Sequence, residues 1–155
     1  TYGYFSSISP TMVSHLEDII RFTEKHVNLN VGDAVLDIGC NDGTLLNKYG
    51  FEKKLKRYGV DPSSEKFLHM FQNDIKVLTD FFSYNKVNEF SEGKKFKVIS
   101  SIAMFYDIDD PVEFAKSIEL LLDDEGFWII EIAYLPLMMK NLAYDQIMHE
   151  HLTYL

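Results

Sequence analysis

Short apolar runs alternate along this chain with longer stretches in which apolar residues recur every three or four positions. The runs contain mostly Val, Ile, Leu and aromatic residues, as buried strands do, and the longer stretches have the spacing of one helix face. The pattern predicts strands at 34–38, 57–60, 76–78, 96–102 and 127–132. It predicts helices at 10–27, 42–49, 62–71, within 84–95, at 111–122 and over most of 136–155.

The alternation of strands and helices indicates successive βαβ units, which form a parallel sheet with right-handed crossovers. The predicted fold class is therefore α/β, a Rossmann-like doubly wound parallel sheet in a three-layer α/β/α arrangement. The fifth strand, 127–132, is apolar on both faces. This pattern predicts a buried strand rather than a sheet edge, so something else is expected to cover it.

Three helix starts carry capping signals. Ser9 precedes Pro10, and Asp110 precedes Pro111, so each pair offers an N-cap and a proline at the first helical position. For the helix that begins near residue 62, Ser63 or Ser64 is the expected cap.

The turn after the first strand is the most informative stretch. Asp37 ends the apolar run, and Gly39 and Gly43 follow it, four residues apart. A dinucleotide fingerprint starting at Gly39 would need glycines at 41 and 44, where Asn41 and Thr44 stand, so NAD is disfavoured. The turn lies where ligands bind in doubly wound sheets, at the carboxyl ends of the strands.

Asp37, the two turn glycines and Asp61 after the second strand resemble motifs I and II of the class I S-adenosylmethionine-dependent methyltransferases. The resemblance implies S-adenosyl-L-methionine as cofactor and S-adenosyl-L-homocysteine as product. The implied cofactor-binding residues are Asp37, Gly39, Cys40, Asn41, Gly43, Asp61, Pro62, Asp80 and Phe81. A ligand with a cationic sulfonium, an amino group and a ribose diol suits an acid-lined crevice opened by glycines.

Within that set, Asp61 is expected to accept hydrogen bonds from the ribose hydroxyls, and Asp80 with Phe81 to face the adenine. Any one of these acids could instead simply cap the helix that follows it. Acids at the ends of three successive strands favour the binding interpretation. Cys40 is interpreted as a small residue that fits a tight turn rather than as a nucleophile.

Composition narrows the function classes. With 46% apolar residues and no apolar run near the roughly 18 residues that a bilayer requires, neither disorder nor a membrane span is predicted. The net charge of −9 disfavours nucleic acid as a partner. Cys40 is the only cysteine, so no disulfide framework or Cys-rich zinc site is expected, and the cytoplasm is the predicted compartment.

Candidate catalytic groups lie near the end of the chain, where His149, Glu150 and His151 follow one another. On a helix the two histidines would face different directions, and a metal site built on them would need an extended backbone and a third ligand, so no metal is predicted. Taken alone, the segment also fits a solvated helix with ordinary surface charges.

The chain resembles the sugar C-methyltransferase family from Tyr2 to its end. The motifs that carry the resemblance are Tyr2-Gly3-Tyr4, 37–44, Met104-Phe105-Tyr106-Asp107, Asp110-Pro111, Glu131, 134–136 and 144–152. That family methylates nucleotide-linked keto-deoxysugars, typically at C-3 of a 4-keto sugar. A histidine in the matching segment removes the proton next to the ketone, and the enolate then attacks the methyl group.

The resemblance implies His151 as the base, with Glu150 orienting it or holding the sugar and His149 as the second candidate. Tyr2, Tyr106 and Asp107 would line the sugar pocket. A neutral histidine with an ordinary pKa near 6.5 suits this proton transfer.

Departures from the family pattern leave alternatives open. Met148 replaces an aromatic residue of some members. The family also has a Cys-rich zinc-binding region, a C-terminal domain and, in the sheet, strands 6 and 7, none of which is in this sequence. We therefore expect residues 1–155 to be a methyltransferase domain on which further regions of a longer protein pack. Few cations are available for a nucleotide diphosphate, so an O- or N-methyltransferase of another small molecule and a non-catalytic binding domain remain alternatives.

Overall fold

The computed structural model describes residues 5–50, 53–143, 147, 151, 152 and 154. The helices are α1 (Pro10–His26), α2 (Thr44–Lys48), α3 (Tyr84–Phe90), α4 (Pro111–Leu121) and α5 (Leu135–Asn141). The strands are β1 (Ala34–Ile38), β2 (Lys56–Val60), β3 (Ile75–Leu78), β4 (Phe96–Ile102) and β5 (Leu122–Glu131). Further segments, at Ser6–Ile8, Pro62–Met70 and Phe105–Asp107, are 3₁₀ helices. Within these described ranges, no helix combines the length and apolar character that crossing a membrane would require.

The five strands form one parallel sheet in the order β3-β2-β1-β4-β5. The chain moves outward from β1 to β3 and then returns to the other side of β1 with β4. The strand order therefore reverses between β1 and β4, which opens a crevice at their carboxyl ends. The predicted α/β doubly wound sheet is confirmed.

Two apolar clusters cover the two faces of the sheet, because alternate residues of each strand point to opposite sides. Val35 of β1 packs with α1 and α2, whereas Leu36 packs with α3 and α4. Helices on both faces give the three predicted layers.

The fifth strand differs from its prediction in two ways. It begins at Leu122 rather than Phe127, because Leu122 already pairs with Phe96 and the next pair is Phe127 with Val98. Residues 123–126, predicted as a turn, form an irregularity inside the strand. Among the described strands β5 also lies at the edge of the sheet rather than inside it, and with Phe127 48% and Ile130 40% exposed the described residues do not supply the cover that its apolar pattern predicts. An apolar pattern on both faces indicates that a strand is to be covered. It does not state which element covers the strand or where the strand lies in the sheet.

The caps follow the sequence signals at two of the three helix starts. Ser9 accepts a hydrogen bond from the Met12 backbone N–H, and Asp110 accepts one from that of Glu113. The segment from residue 62 differs: it is a 3₁₀ helix, and its cap is Asp61, not Ser63 or Ser64.

The last stretch is less helical than predicted. After α5 ends at Asn141, the described residues Ala143, Ile147, His151, Leu152 and Tyr154 have no regular secondary structure. Helix propensity, which the Met-rich composition raises, is a weak guide to the structure that a segment adopts in a folded chain.

Replacing Asp110 with alanine removes the cap of α4 and is expected to lower the free energy of unfolding by about 1 kcal/mol. Urea unfolding followed by circular dichroism measures the change. The neighbouring exposed carboxylate supplies the matched control, since Asp109→Ala removes the same charge without the cap. An equal loss in both variants would show that charge, not capping, is responsible.

Candidate functional site

The turn between β1 and α2 is shaped by residues with positive φ. Gly39, Asn41 and Gly43 have φ of 78°, 49° and 76°. A Cβ on Gly43 would lie 2.5 Å from the ring of Phe71, so both conformation and space require glycine there. The turn therefore keeps its backbone N–H groups at the carboxyl edge of the sheet.

Asp61 ties this turn to the chain after β2. Its Oδ2 accepts a hydrogen bond from the Asn41 backbone N–H at 2.9 Å, and its Oδ1 accepts one from that of Ser63 at 2.6 Å. Each carboxylate oxygen can accept more than one hydrogen bond, so capacity remains for a ligand. Ser64 adds a second tie, since its hydroxyl donates to the Asn41 carbonyl.

Asp37 lies deeper, with 4% of its surface exposed. Its Oδ1 accepts a hydrogen bond from the hydroxyl of Ser100 on β4 at 2.6 Å. The pKa of the Asp37 carboxyl is raised to about 7, chiefly by burial and in smaller part by the nearby charge of Asp61, while the Ser100 hydrogen bond opposes both.

A cavity of about 540 Å³ lies over these turns, a size typical of small-molecule sites. The sequence-predicted residues that line it are Asp37, Gly39, Cys40, Asn41, Asp61, Pro62, Phe81 and Asp107. Gly43 lies behind the turn against Phe71, and Asp80 adjoins the lining through Phe81. The cavity lining combines apolar side chains with the carboxylates of Asp37, Asp61 and Asp107, which fits a ligand with an aromatic base, a diol and a cationic group.

The C-terminal segment reaches the same edge of the sheet. The ring centroids of His151 and Tyr106 are 3.9 Å apart, and the Leu152 backbone N–H donates to the Tyr106 carbonyl at 2.9 Å. The Nδ1 atom of His151 is buried and has no hydrogen-bond partner among the described residues. Tyr106 directly precedes Asp107, which lines the cavity. The predictions for Tyr2, His149 and Glu150 lie outside the described residues.

Comparison with known proteins assigns the family. A model described as a methyltransferase domain matches residues 13–155, most of the chain. The chain belongs to the methyltransferase domain family. The predicted class of enzyme is thus confirmed, and the cofactor predicted from the turn, S-adenosylmethionine, is the methyl donor of that family.

The relatives of this methyltransferase domain differ in the reaction that their names state. The C-methyltransferase NovU of Streptomyces niveus is 25% identical over 99% of this chain and 36% of its own. The tRNA U34 carboxymethyltransferase of Campylobacter lari is 28% identical over 67% of this chain and 36% of its own. This chain thus spans about a third of the length of these relatives.

Solved structures share the fold. The plantazolicin methyltransferase BpumL, in a complex that contains S-adenosylhomocysteine, superposes with a TM-score of 0.61. It is 21% identical and covers 89% of this chain and 52% of its own. A putative methyltransferase bound to the Trm112 activator of Haloferax volcanii has a TM-score of 0.55 at 21% identity, over 81% of this chain and 57% of its own.

The third strand-end acid of the methyltransferase domain, Asp80, has a side chain that is 44% exposed. Asp80 accepts hydrogen bonds from Lys86 Nζ and from the Phe81 backbone N–H, both at 2.7 Å. The Lys86 hydrogen bond, more than any other contact, lowers the pKa of Asp80. The ring of Phe81 is 74% exposed at the cavity, which leaves one face available to a planar group.

The sequence did not reveal the wall that α1 contributes. Met12 and Leu16 of this helix line the cavity, and Ser6 lies beside them. The backbone N–H of Ser6 donates to Asn41 Oδ1 at 3.1 Å, and that of Ser7 donates to Asp42 Oδ2 at 2.8 Å. The apolar stripe of α1 was recognisable, but its position across the first turn depends on these long-range contacts.

Ser100 and Met104 on the β4 side were also missed. Ser100 holds Asp37, and Met104 lies 3.1 Å from the position of a Cβ on Gly39. The pair of small polar residues Ser100-Ser101 near the carboxyl end of β4 was the available signal for Ser100.

The raised pKa of Asp37 makes stability depend on pH. The native state binds a proton on this carboxyl more tightly than the unfolded chain does. The contribution of the protonated carboxyl to the free energy of unfolding is therefore full below about pH 4 and is lost as the pH rises through about 7. The Asp37→Asn variant cannot ionise there. We expect its unfolding free energy to gain about 1–2 kcal/mol over the original domain between pH 5 and pH 8.

Thermal unfolding at a series of pH values measures this difference, with the exposed Asp18→Asn as control. A difference between Asp37→Asn and the original domain that stays constant with pH would contradict the assignment.

Proposed function

We propose that this methyltransferase domain transfers a methyl group from S-adenosylmethionine to a carbon atom of a nucleotide-linked keto-deoxysugar. The observation that carries the proposal is the placement of the His151 imidazole on Tyr106, next to Asp107 of the cavity wall. A base at this edge suits carbon methylation, because the nucleophile is made by removing a proton. The similarity to NovU over 99% of the chain supports the same class of reaction.

The cofactor would lie in the cavity between the three strand-end acids. Asp61 would accept hydrogen bonds from the ribose hydroxyls, and Asp37 would accept one from the ammonium of the methionine portion. Phe81 would stack on the adenine, while Asp80 would accept from its exocyclic amine. Gly39, Cys40, Asn41, Gly43 and Pro62 would shape the backbone around it. When bound, the cofactor supplies an electrophilic methyl group on a sulfonium.

On the acceptor, His151 would take the proton from the carbon next to the ketone. The electrons of that C–H bond delocalise onto the ketone oxygen, and the carbon then forms a bond to the methyl group as the methyl–sulfur bond breaks. The proton remains on the imidazole until solvent removes it. Glu150 would orient His151 or hold the sugar, and His149 is the second candidate for the base.

Tyr2 and Asp107 would line the sugar pocket. A nucleotide diphosphate needs cationic partners, which a domain of net charge −9 supplies poorly. We infer that other regions of the full-length protein pack on this domain and complete that part of the site.

The test is to incubate the full-length protein with a nucleotide-linked 4-keto-6-deoxysugar and S-adenosylmethionine that carries a ¹³C-methyl group. We expect an NMR correlation between the labelled methyl and a carbon next to the ketone. A label attached to oxygen or nitrogen, or transfer to tRNA in a parallel reaction and not to the sugar, would contradict the proposal.

A separate incubation in D₂O with S-adenosylhomocysteine tests the proton step alone. The proton next to the ketone should exchange for deuterium without methyl transfer. Methylation of carbon without any such exchange would argue against a separate deprotonation step.

A further inference from the structure

His151 contacts two aromatic rings. Its ring centroid is 3.9 Å from that of Tyr106, at an interplanar angle of 31°, and 5.5 Å from that of Tyr154, at 48°. Tyr154 follows it by three residues, whereas Tyr106 belongs to the 3₁₀ segment after β4. The Leu152–Tyr106 backbone hydrogen bond holds the two segments together.

Little else among the described residues determines the orientation of this imidazole. A histidine base is commonly oriented by a hydrogen bond at its second ring nitrogen, but the buried Nδ1 of His151 has no such partner in the described part of the chain. The described residues next to His151 in sequence, 147, 152 and 154, also lack regular secondary structure. Contact between rings is therefore the interaction that the structure provides for orienting it.

We infer that Tyr106 and Tyr154 form an aromatic clamp that positions the His151 ring for proton removal. The inference rests on the proposed function, in which His151 is the base. It gives Tyr106 a different role from the sugar contact expected from the sequence: Asp107 lines the cavity, whereas Tyr106 lies against the imidazole. Both tyrosines act through His151, so they are positioning residues.

The clamp is tested in the full-length protein with the pairs Tyr106→Phe and Tyr106→Leu, and Tyr154→Phe and Tyr154→Leu. Leucine removes the aromatic ring, and phenylalanine keeps it without the hydroxyl. We expect each leucine variant to lower kcat about 10- to 100-fold, because a base displaced by about 1 Å loses most of its rate advantage. KM for the keto-sugar and the Kd for S-adenosylhomocysteine should change by less than about twofold, and the phenylalanine variants should retain kcat.

An NMR measurement reports the clamp without activity. Ring currents from Tyr106 should shift the carbon-bound ring protons of His151 upfield, and His151→Ala identifies those signals by removing them. The shift should persist in Tyr106→Phe and disappear in Tyr106→Leu. Phe22→Leu is the matched control, because Phe22 stacks on another histidine, His26, at a centroid distance of 4.2 Å in α1. This variant should leave both kcat and the His151 signals unchanged.

The outcomes separate this inference from the proposed function. If His151→Ala keeps its turnover, the proposed base is wrong. If His151→Ala loses turnover but both leucine variants keep kcat and the NMR shift, the clamp is overturned while the base stands. A phenylalanine variant as impaired as its leucine counterpart would overturn the clamp in favour of the hydroxyl. An equal loss of cofactor affinity in the leucine variants would show a merely structural role.

Discussion

The His151→Ala variant of the full-length protein is expected to have a kcat roughly 10²–10⁴-fold lower, the range that a positioned general base contributes. The imidazole is the group that would take the proton from carbon, and without it water is a poor substitute. The affinity for S-adenosylhomocysteine should change by less than about twofold, because His151 contacts Tyr106 and Tyr154 and does not line the described cavity. Steady-state kinetics and calorimetric titration measure the two quantities.

Two further histidine variants make this result specific. His69→Ala removes an exposed imidazole on the 3₁₀ segment 62–70 and should leave kcat unchanged. His149→Ala tests the second candidate. A large loss of kcat in His149→Ala together with full activity in His151→Ala would reassign the base to His149. Loss of deuterium exchange at the sugar carbon in His151→Ala would place the defect at proton removal.

The Asp61→Ala variant is expected to bind S-adenosylhomocysteine roughly 10- to 100-fold more weakly, as loss of hydrogen bonds between a carboxylate and a ligand diol would produce. The variant would also release the Asn41 and Ser63 backbone N–H groups that Asp61 holds at 2.9 and 2.6 Å. Part of the affinity loss would therefore come from a looser turn. Calorimetric titration gives the affinity, and urea unfolding gives the accompanying loss of stability.

A matched pair of variants separates the contact of Asp61 with the ligand from its hydrogen bonds to the turn backbone. Asp61→Asn keeps one oxygen for the backbone N–H groups and has no negative charge, so its affinity should lie between those of the original domain and Asp61→Ala. Asp80→Ala removes an exposed carboxylate already paired with Lys86, so we expect a smaller effect, within about fivefold. Unchanged affinity in Asp61→Ala would exclude Asp61 from the ribose site.

The chain before β1 also shapes the site, beyond the strand-end acids. Asn41 and Asp42, inside the first turn, accept hydrogen bonds from the Ser6 and Ser7 backbone N–H groups, at 3.1 and 2.8 Å. Met12 and Leu16 then form part of the cavity wall. The chain before β1 thus closes one side of the site.

The strand and helix pattern, the turn after β1 and its acids are properties of the sequence itself. Short apolar runs form strands because burial drives them, and Gly43 occupies a position that needs both positive φ and the absence of a Cβ. Asp37 and Asp61 are at the carboxyl edge because parallel strands bring their ends together. The doubly wound sheet and the crevice over these acids could therefore be predicted.

The tertiary structure alone decided the start of β5 at Leu122, the wall formed by α1 and the contact of His151 with Tyr106. Each depends on residues that are far apart in sequence. Residues 106 and 151, for example, are separated by 45 positions. A local pattern states which side chains prefer burial, but it does not state which partners bury them. The packing of the whole chain makes that choice. Many pairings of elements satisfy one local pattern, but the native arrangement satisfies the patterns of all the elements at once.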